Sequence, residues 1–219
     1  KTNSDLSIMP YTFKNYKNTK NNLKIKGHKY FIFPKEFEQT SKLKKKIKKN
    51  PENILISLGG TDPKNVIANI LNQILSSNLN FKVKILHGFN KKALLGNFNN
   101  MQNIKFVNYQ NQIHKLLFWA DLAIINEGNI KFETGALGIP SIMINTVERD
   151  NSILIKDFLK FRTVKYIPFN LINVNFKKIF LRYYKDTSLR KFHSLNGKKY
   201  FDFKGPSRII KKLKILNEI

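Results

Sequence analysis

From Pro51 onward, apolar positions fall into two rhythms that alternate along the chain. Six short runs are apolar at nearly every position: Ile54–Leu58, Val83–Leu86, Ile104–Val107, Leu122–Ile125, Ser141–Ile144 and Val164–Ile167. Their length and β-branched content predict strands buried on both faces. Between them apolar residues recur at spacings of three and four, as at Val66, Ile67, Ile70, Leu71 and Ile74, or at Ile113, Leu116 and Leu117. That is the period of a helix with one buried face. Alternating strands and helices predict an α/β fold, a Rossmann-like parallel sheet with helices on both faces. Two later helices are expected over Leu171–Lys185 and Ser207–Leu216.

The first fifty residues read differently. Residues 1–22 are rich in Asn, Lys, Thr and Tyr without periodicity, which predicts loop, or a fragment whose packing partner lies elsewhere. Lys24–Phe33 resembles a short strand. Beyond Pro34, "KLKKKIKKN" at Lys42–Asn50 predicts a solvated helix or a linker. The expected division is residues 1–50 as an N-terminal segment and linker, the remnant of a preceding domain, and residues 51–219 as one folded domain. Because the sequence does not begin with Met, it reads as a piece of a longer protein.

Composition narrows the field. No apolar run approaches the roughly eighteen residues of a membrane span, and no secretory signal pattern opens the chain, so a cytoplasmic location is expected. The absence of cysteine excludes disulfides, thiolate metal sites and Cys nucleophiles. A net charge of +26 suggests nucleic acid or an anionic membrane surface as partner. Nucleic acid is disfavoured, because the charge is mostly lysine and the bidentate Arg fork is confined to Arg149, Arg162, Arg182, Arg190 and Arg208. Peripheral contact of a basic face with anionic lipid remains open.

In an open parallel sheet, ligands bind where strands lead into helix N-termini, so three loops carry the candidate chemistry. The first is "ILISLGGTDPKN", in which Gly59 and Gly60 would let backbone amides approach an anion at a helix start, with Asp62 as cap and Pro63 at the first helical position. The same glycines could serve only a tight turn. The second is "NEGNIKFETGALGIP", where Gly128 supplies a turn and Glu133 lies one helical turn inside. Such a carboxylate suits a ribose diol, although an exposed helix glutamate is the commoner fate. The third is "NTVERDNS", a polar loop after the fifth strand. The four histidines, His28, His87, His114 and His193, share no metal-ligand spacing and read as surface or packing residues. No nucleophile elbow or catalytic triad is visible, and no cofactor or metal is implied.

Together, "LISLGGTDPKN", "ADLAII" and "GNIKFETGALGIP" resemble the C-terminal nucleotide-binding domain of the GT-B superfamily. Within it they are most similar to the UDP-sugar hydrolases of pseudaminic acid biosynthesis and the related spore-coat polysaccharide proteins. "GHKYFIFPKEF" resembles that group's G-x-x-Y-x-x-x-x-x-E-F segment. "FDFKGPSRII" resembles its terminal D-G-x-G-x-x-R stretch, with Phe203 in place of the first glycine. The resemblance implies that a UDP-sugar is the ligand, that Gly59, Gly60 and Thr61 with Gly128 and Asn129 face the diphosphate, and that Glu133 binds the ribose hydroxyls. It further implies that Tyr109 and Gln110 hold the uracil and that Asp150 and Asn151 contact the sugar. Glu127 departs from the pattern, since it replaces a glycine and brings negative charge beside the diphosphate unless it points away. Ser152 departs as well, where the hydrolases commonly carry Gln. The catalytic histidine of the hydrolases belongs to a Gly-rich loop of the N-terminal half, which this sequence lacks, so activity would need an N-terminal domain of the parent chain or a partner protein. The resemblance leaves a glycosyltransferase and a non-catalytic, degenerate nucleotide-binding module as alternatives.

Overall fold

A computed structural model describes residues 6–11, 23–59, 65–87, 98, 101–108, 111–146 and 152–217. Strand β1 (Leu6–Met9) pairs in parallel with β2 (Leu23–Lys26), so part of the expected N-terminal loop is a strand. The strand-like stretch that begins at Lys24 stops at Lys26, and a turn of 3-10 helix follows over His28–Tyr30. Helix α1 (Lys35–Ser41) ends before the lysine run, which continues without helix.

The expected sheet is present. Strands β3 (Asn53–Ser57), β4 (Lys82–His87), β5 (Ile104–Asn108), β6 (Leu122–Ile125), β7 (Ser141–Ile144) and β8 (Lys165–Ile167) are all parallel, in the order β5-β4-β3-β6-β7-β8. Side chains alternate across it. Ile54 and Ile56 of β3 and Leu122 and Ile124 of β6 enter one core, with α2 (Val66–Leu75) and Phe176 and Phe180 further along. Leu55, Ala123, Ile125 and Met143 enter the other, with Leu116 and Leu117 of α3 (Ile113–Trp119), Phe132 and Leu137 of α4 (Ile130–Leu137), and Phe158 of α5 (Ser152–Lys160). Burial on both faces is why these strands read as unbroken apolar runs. Burying each such side chain contributes about 1.5–3 kcal/mol, so a polar substitution at Ile56 would strike the centre of a core.

Helix α2 starts at Val66 with Asn65 as its N-cap, later than the Asp62–Pro63 start that the sequence suggests; residues 60–64 lie outside the described residues. Helices α6 (Ile172–Lys185) and α8 (Gly205–Asn217) match the expected pair closely. Between them stands α7 (Thr187–Tyr200), which hydrophobic spacing does not predict. Its N-cap Asp186 accepts the Leu189 amide at 2.8 Å. Its inward face is polar or small. Arg190 is fully buried and donates to the carbonyls of Tyr183, Lys48 and Lys49 at 3.2, 3.0 and 2.7 Å, which ties the end of the lysine run to α6 and α7. Ser194 donates to Gly138 O at 2.6 Å, and a Cβ on Gly197 would lie 2.6 Å from Gly135 O. Helices α4 and α7 therefore touch backbone to backbone.

A second seam joins the two ends of the chain. Arg208 reaches both carboxylate oxygens of Asp202 at 2.6 Å and also donates to Lys29 O at 3.1 Å. The Asp202 carboxyl is held below its usual range, chiefly by the Arg208 hydrogen bonds. A Cβ on Gly205 would stand 2.2 Å from Phe31 O. The "GHKYFIF" and "FDFKGPSR" segments are thus partners of each other, with Tyr30, Ile25 and Ile209 buried between them.

Candidate functional site

The sheet order reverses between β3 and β6: β4 and β5 extend one way, β7 and β8 the other. Chains leaving the carboxyl ends of β3 and β6 turn to helices on opposite faces, α2 with one core and α4 with the other. The crevice opened at such a switch point is where open α/β sheets bind ligands. Gly59 follows β3, and Asn126 to Asn129 follow β6.

One side chain ties the two strand ends together. Asn126 Nδ2 donates to Leu58 O at 2.9 Å, and its Oδ1 accepts the Gly128 amide at 3.0 Å. A Cβ on Gly59 would lie 2.8 Å from Asn126 Nδ2, and one on Gly128 2.9 Å from its Oδ1. Gly59 also has φ of 95°, a conformation that favours glycine. Both glycines are therefore required by Asn126, a residue that sequence reasoning did not single out. The Gly128 amide is already paired, so an anion here would meet the amides that follow it. Helix α4 begins with no side-chain cap, and its positive end faces the crevice.

Glu133 stands in the first turn of α4. It is half-buried, and burial pushes its carboxyl up to about 7. Its carboxylate has no hydrogen-bond or ion-pair partner among the described residues. A half-buried acceptor at a helix start can take hydrogen bonds from a ligand that brings its own donors.

Glu127 takes a different course. It is buried, and its Oε1 accepts the Tyr166 hydroxyl at 3.1 Å, so its carboxylate reaches toward β8. One turn on, Lys131 is fully buried and donates to the Glu127 carbonyl, to Gly128 O at 3.1 Å and to the Tyr11 hydroxyl at 3.4 Å. Rings of Tyr11, Phe132 and Phe158 lie 4.8, 5.1 and 5.3 Å from its ammonium. Burial lowers its pKa to about 8, against the pull of Glu127. The only sequence signal for this pairing is the i, i+4 spacing of Glu127 and Lys131.

Of the sequence-predicted site residues, Gly59, Gly128, Asn129 and Glu133 belong to the elements bordering this crevice. Gly60, Thr61, Tyr109, Gln110, Asp150 and Asn151 lie outside the described residues. His87, His114 and His193 are buried packing residues, and His28 packs its ring 4.7 Å from Phe161. His193 shares a hydrogen bond of 3.0 Å with the Tyr183 hydroxyl, and burial first, then Arg162 and Lys165, lowers its pKa to about 4. Among the described residues no helix is long and apolar enough to cross a membrane.

The six-stranded parallel sheet with helices on both faces is a fold shared with one part of several larger solved proteins. Among solved structures, MurG of Acinetobacter baumannii superposes with a TM-score of 0.61 and 16% identity, over 92% of this chain and 58% of that one. The UDP-GlcNAc 2-epimerase of Neisseria meningitidis, solved with UDP-GlcNAc bound, gives 0.58 and 17%, over 82% and 47%. WaaG, a glycosyltransferase involved in lipopolysaccharide biosynthesis, gives 0.57 and 18%, over 81% and 50%. In sequence, the uncharacterized protein MJ1062 of Methanocaldococcus jannaschii is 31% identical over 134 residues, 57% of this chain and 28% of that protein. The chain thus spans less than a third of that curated relative and about half of each solved neighbour. No family model matches it.

Proposed function

We propose that this chain is the UDP-sugar-binding half of a nucleotide-sugar enzyme of bacterial surface-glycan synthesis. The nucleotide lies in the crevice between the ends of β3 and β6. Glu133 accepts the ribose hydroxyls, Gly59–Thr61 and Gly128–Asn129 face the diphosphate, Tyr109 and Gln110 hold the uracil, and Asp150 and Asn151 meet the sugar. The observation that carries this reading is Glu133, a half-buried carboxylate without a partner among the described residues, one turn inside an uncapped helix at the switch point. A solved neighbour of the same fold holding UDP-GlcNAc supports it.

The reaction proposed is hydrolysis of the sugar–phosphate bond, in which water attacks and UDP leaves, stabilised by helix-terminal amides. Its support is the sequence likeness to the pseudaminic acid hydrolases. Transfer to a hydroxyl acceptor is the second reading, favoured by the WaaG likeness. In either case residues 1–50 are the tail of a preceding half, and the water or acceptor is positioned there, so the isolated chain binds UDP without turnover.

Calorimetric titration with UDP tests the site. Glu133→Ala removes two charge-assisted hydrogen bonds in a partly open crevice, and affinity is expected to fall about thirtyfold, or roughly 2 kcal/mol. Unchanged binding, in a variant that unfolds at the parent's temperature, would reduce Glu133 to an ordinary helix residue.

A further inference from the structure

Asn129 opens α4 without capping it, and its side chain is exposed and engaged elsewhere. Its Oδ1 accepts the Tyr11 hydroxyl at 3.3 Å, and that hydroxyl in turn accepts from the buried Lys131 ammonium at 3.4 Å. With the carboxamide oxygen engaged by Tyr11, its NH2 has no partner among the described residues and is left as a donor at the start of α4. The direction of this chain is set by Lys131, because an ammonium can only donate. The Tyr11 oxygen must then accept from it and spend its own proton on Asn129.

Resting on the proposed UDP site, we propose that Lys131 and Tyr11 are positioning residues that lock the Asn129 carboxamide as a hydrogen-bond donor to the diphosphate. Lys131 holds the loop as well, through the carbonyls of Glu127 and Gly128. It also places a positive charge beneath the site, which offsets Glu127 in the same loop. Packing alone does not ask for this arrangement. A Met would fill the box of Tyr11, Phe132 and Phe158 without the penalty of desolvating an ammonium, and the hydroxyl of Tyr11 contributes nothing to its ring contact with Phe132, at 5.6 Å between centroids. The relay carries a consequence for the segment around β1: Tyr11 comes from that segment, so whatever moves it changes how the phosphate loop presents Asn129.

Tyr11→Phe removes the hydroxyl and keeps the ring. Parent and variant are titrated with UDP and with uridine, which lacks the phosphates. About fivefold weaker UDP binding with uridine binding unchanged is expected, the effect of one lost orienting hydrogen bond. Asn129→Ala is expected to weaken UDP binding in the parent but to have little further effect in Tyr11→Phe, since the two changes remove one function. Equal UDP affinity in parent and Tyr11→Phe, or fully additive losses, would overturn the relay and leave the UDP site standing. A parent chain that binds neither UDP nor uridine would overturn the site itself, and the relay with it. Lys131→Met supplies a second arm: a folded variant that loses UDP but keeps uridine supports the relay, and one that keeps both overturns it.

Discussion

The chain-end seam and the crevice are each built around a short sequence motif, yet they differ in how their polar groups are satisfied. In the seam the polar groups close on each other inside the chain: Arg208 reaches Asp202 and Lys29 O, and Gly205 makes room for Phe31 O. In the crevice the glycines are answered by Asn126, whereas Glu133 has no such partner among the described residues. A motif that closes on itself accounts for folding. One that leaves a half-buried acceptor open is not accounted for by folding alone.

The largest effect that could break this contrast lies in the seam. Gly205→Ala puts a methyl 2.2 Å from a backbone oxygen, which no rotamer change relieves. It is expected to destabilise the fold by about 3 kcal/mol, read from denaturant unfolding. A loss below about 0.5 kcal/mol would mean that the seam yields easily and that its glycine is not structural.

Glu127→Gly comes next. The sequence alone suggests that removing a negative charge beside the diphosphate would tighten UDP. The structure reverses the expectation, because the buried carboxylate accepts from Tyr166 and faces Lys131. We expect destabilisation of about 2 kcal/mol and no gain in UDP affinity. Tighter binding at unchanged stability would move Glu127 to the open side of the comparison.

The smallest effects are pH-dependent and of opposite sign. Glu133 has a raised folded pKa of about 7, so its ionised form opposes folding; that penalty is absent below the ordinary glutamate range and complete above about 7. Glu133→Gln should therefore be more stable than the parent at pH 8, by about 1 kcal/mol once solvent screening is allowed for, with the gap closing by pH 5. Asp202 is depressed, so its contribution is present above the usual aspartate range and lost as pH falls through its folded value. Asp202→Asn should accordingly be less stable than the parent at pH 7, with the gap narrowing as pH falls below the usual aspartate range. Melting temperatures of both variants across pH check the pair, and two curves of the same sign would erase the distinction.

Legibility followed the physics of each region. Strands β3, β6 and β7 were readable because burial on both faces writes unbroken apolar runs. Helix α7 was not, since its core face is built from Arg190, His193, Ser194 and Gly197, which carry no hydrophobic period. Four residues of β1 sit in a polar stretch where half-burial leaves no alternation to detect. Around the crevice, Gly59 and Gly128 were visible as turn glycines and Glu133 as a first-turn helix carboxylate, because local turn chemistry and helix position set those features. Asn126, Lys131 and Tyr11 were not. Their roles depend on partners brought near by the fold, and a contact between Tyr11 and Asn129, 118 positions apart, has no local signature.

The backbone contact between α4 and α7 gives the crevice a mechanical property. Gly197 presses directly on the Gly135 backbone, and Ser194 pins the far end of α4 at Gly138. The helix that presents Asn129 and Glu133 is therefore a strut braced at its rear. A methyl group added at Gly197 would shift that strut rather than compress it, and the displacement would emerge at the crevice, remote from the substitution. Such a change would move Asn129 and Glu133 without altering any residue that borders the crevice.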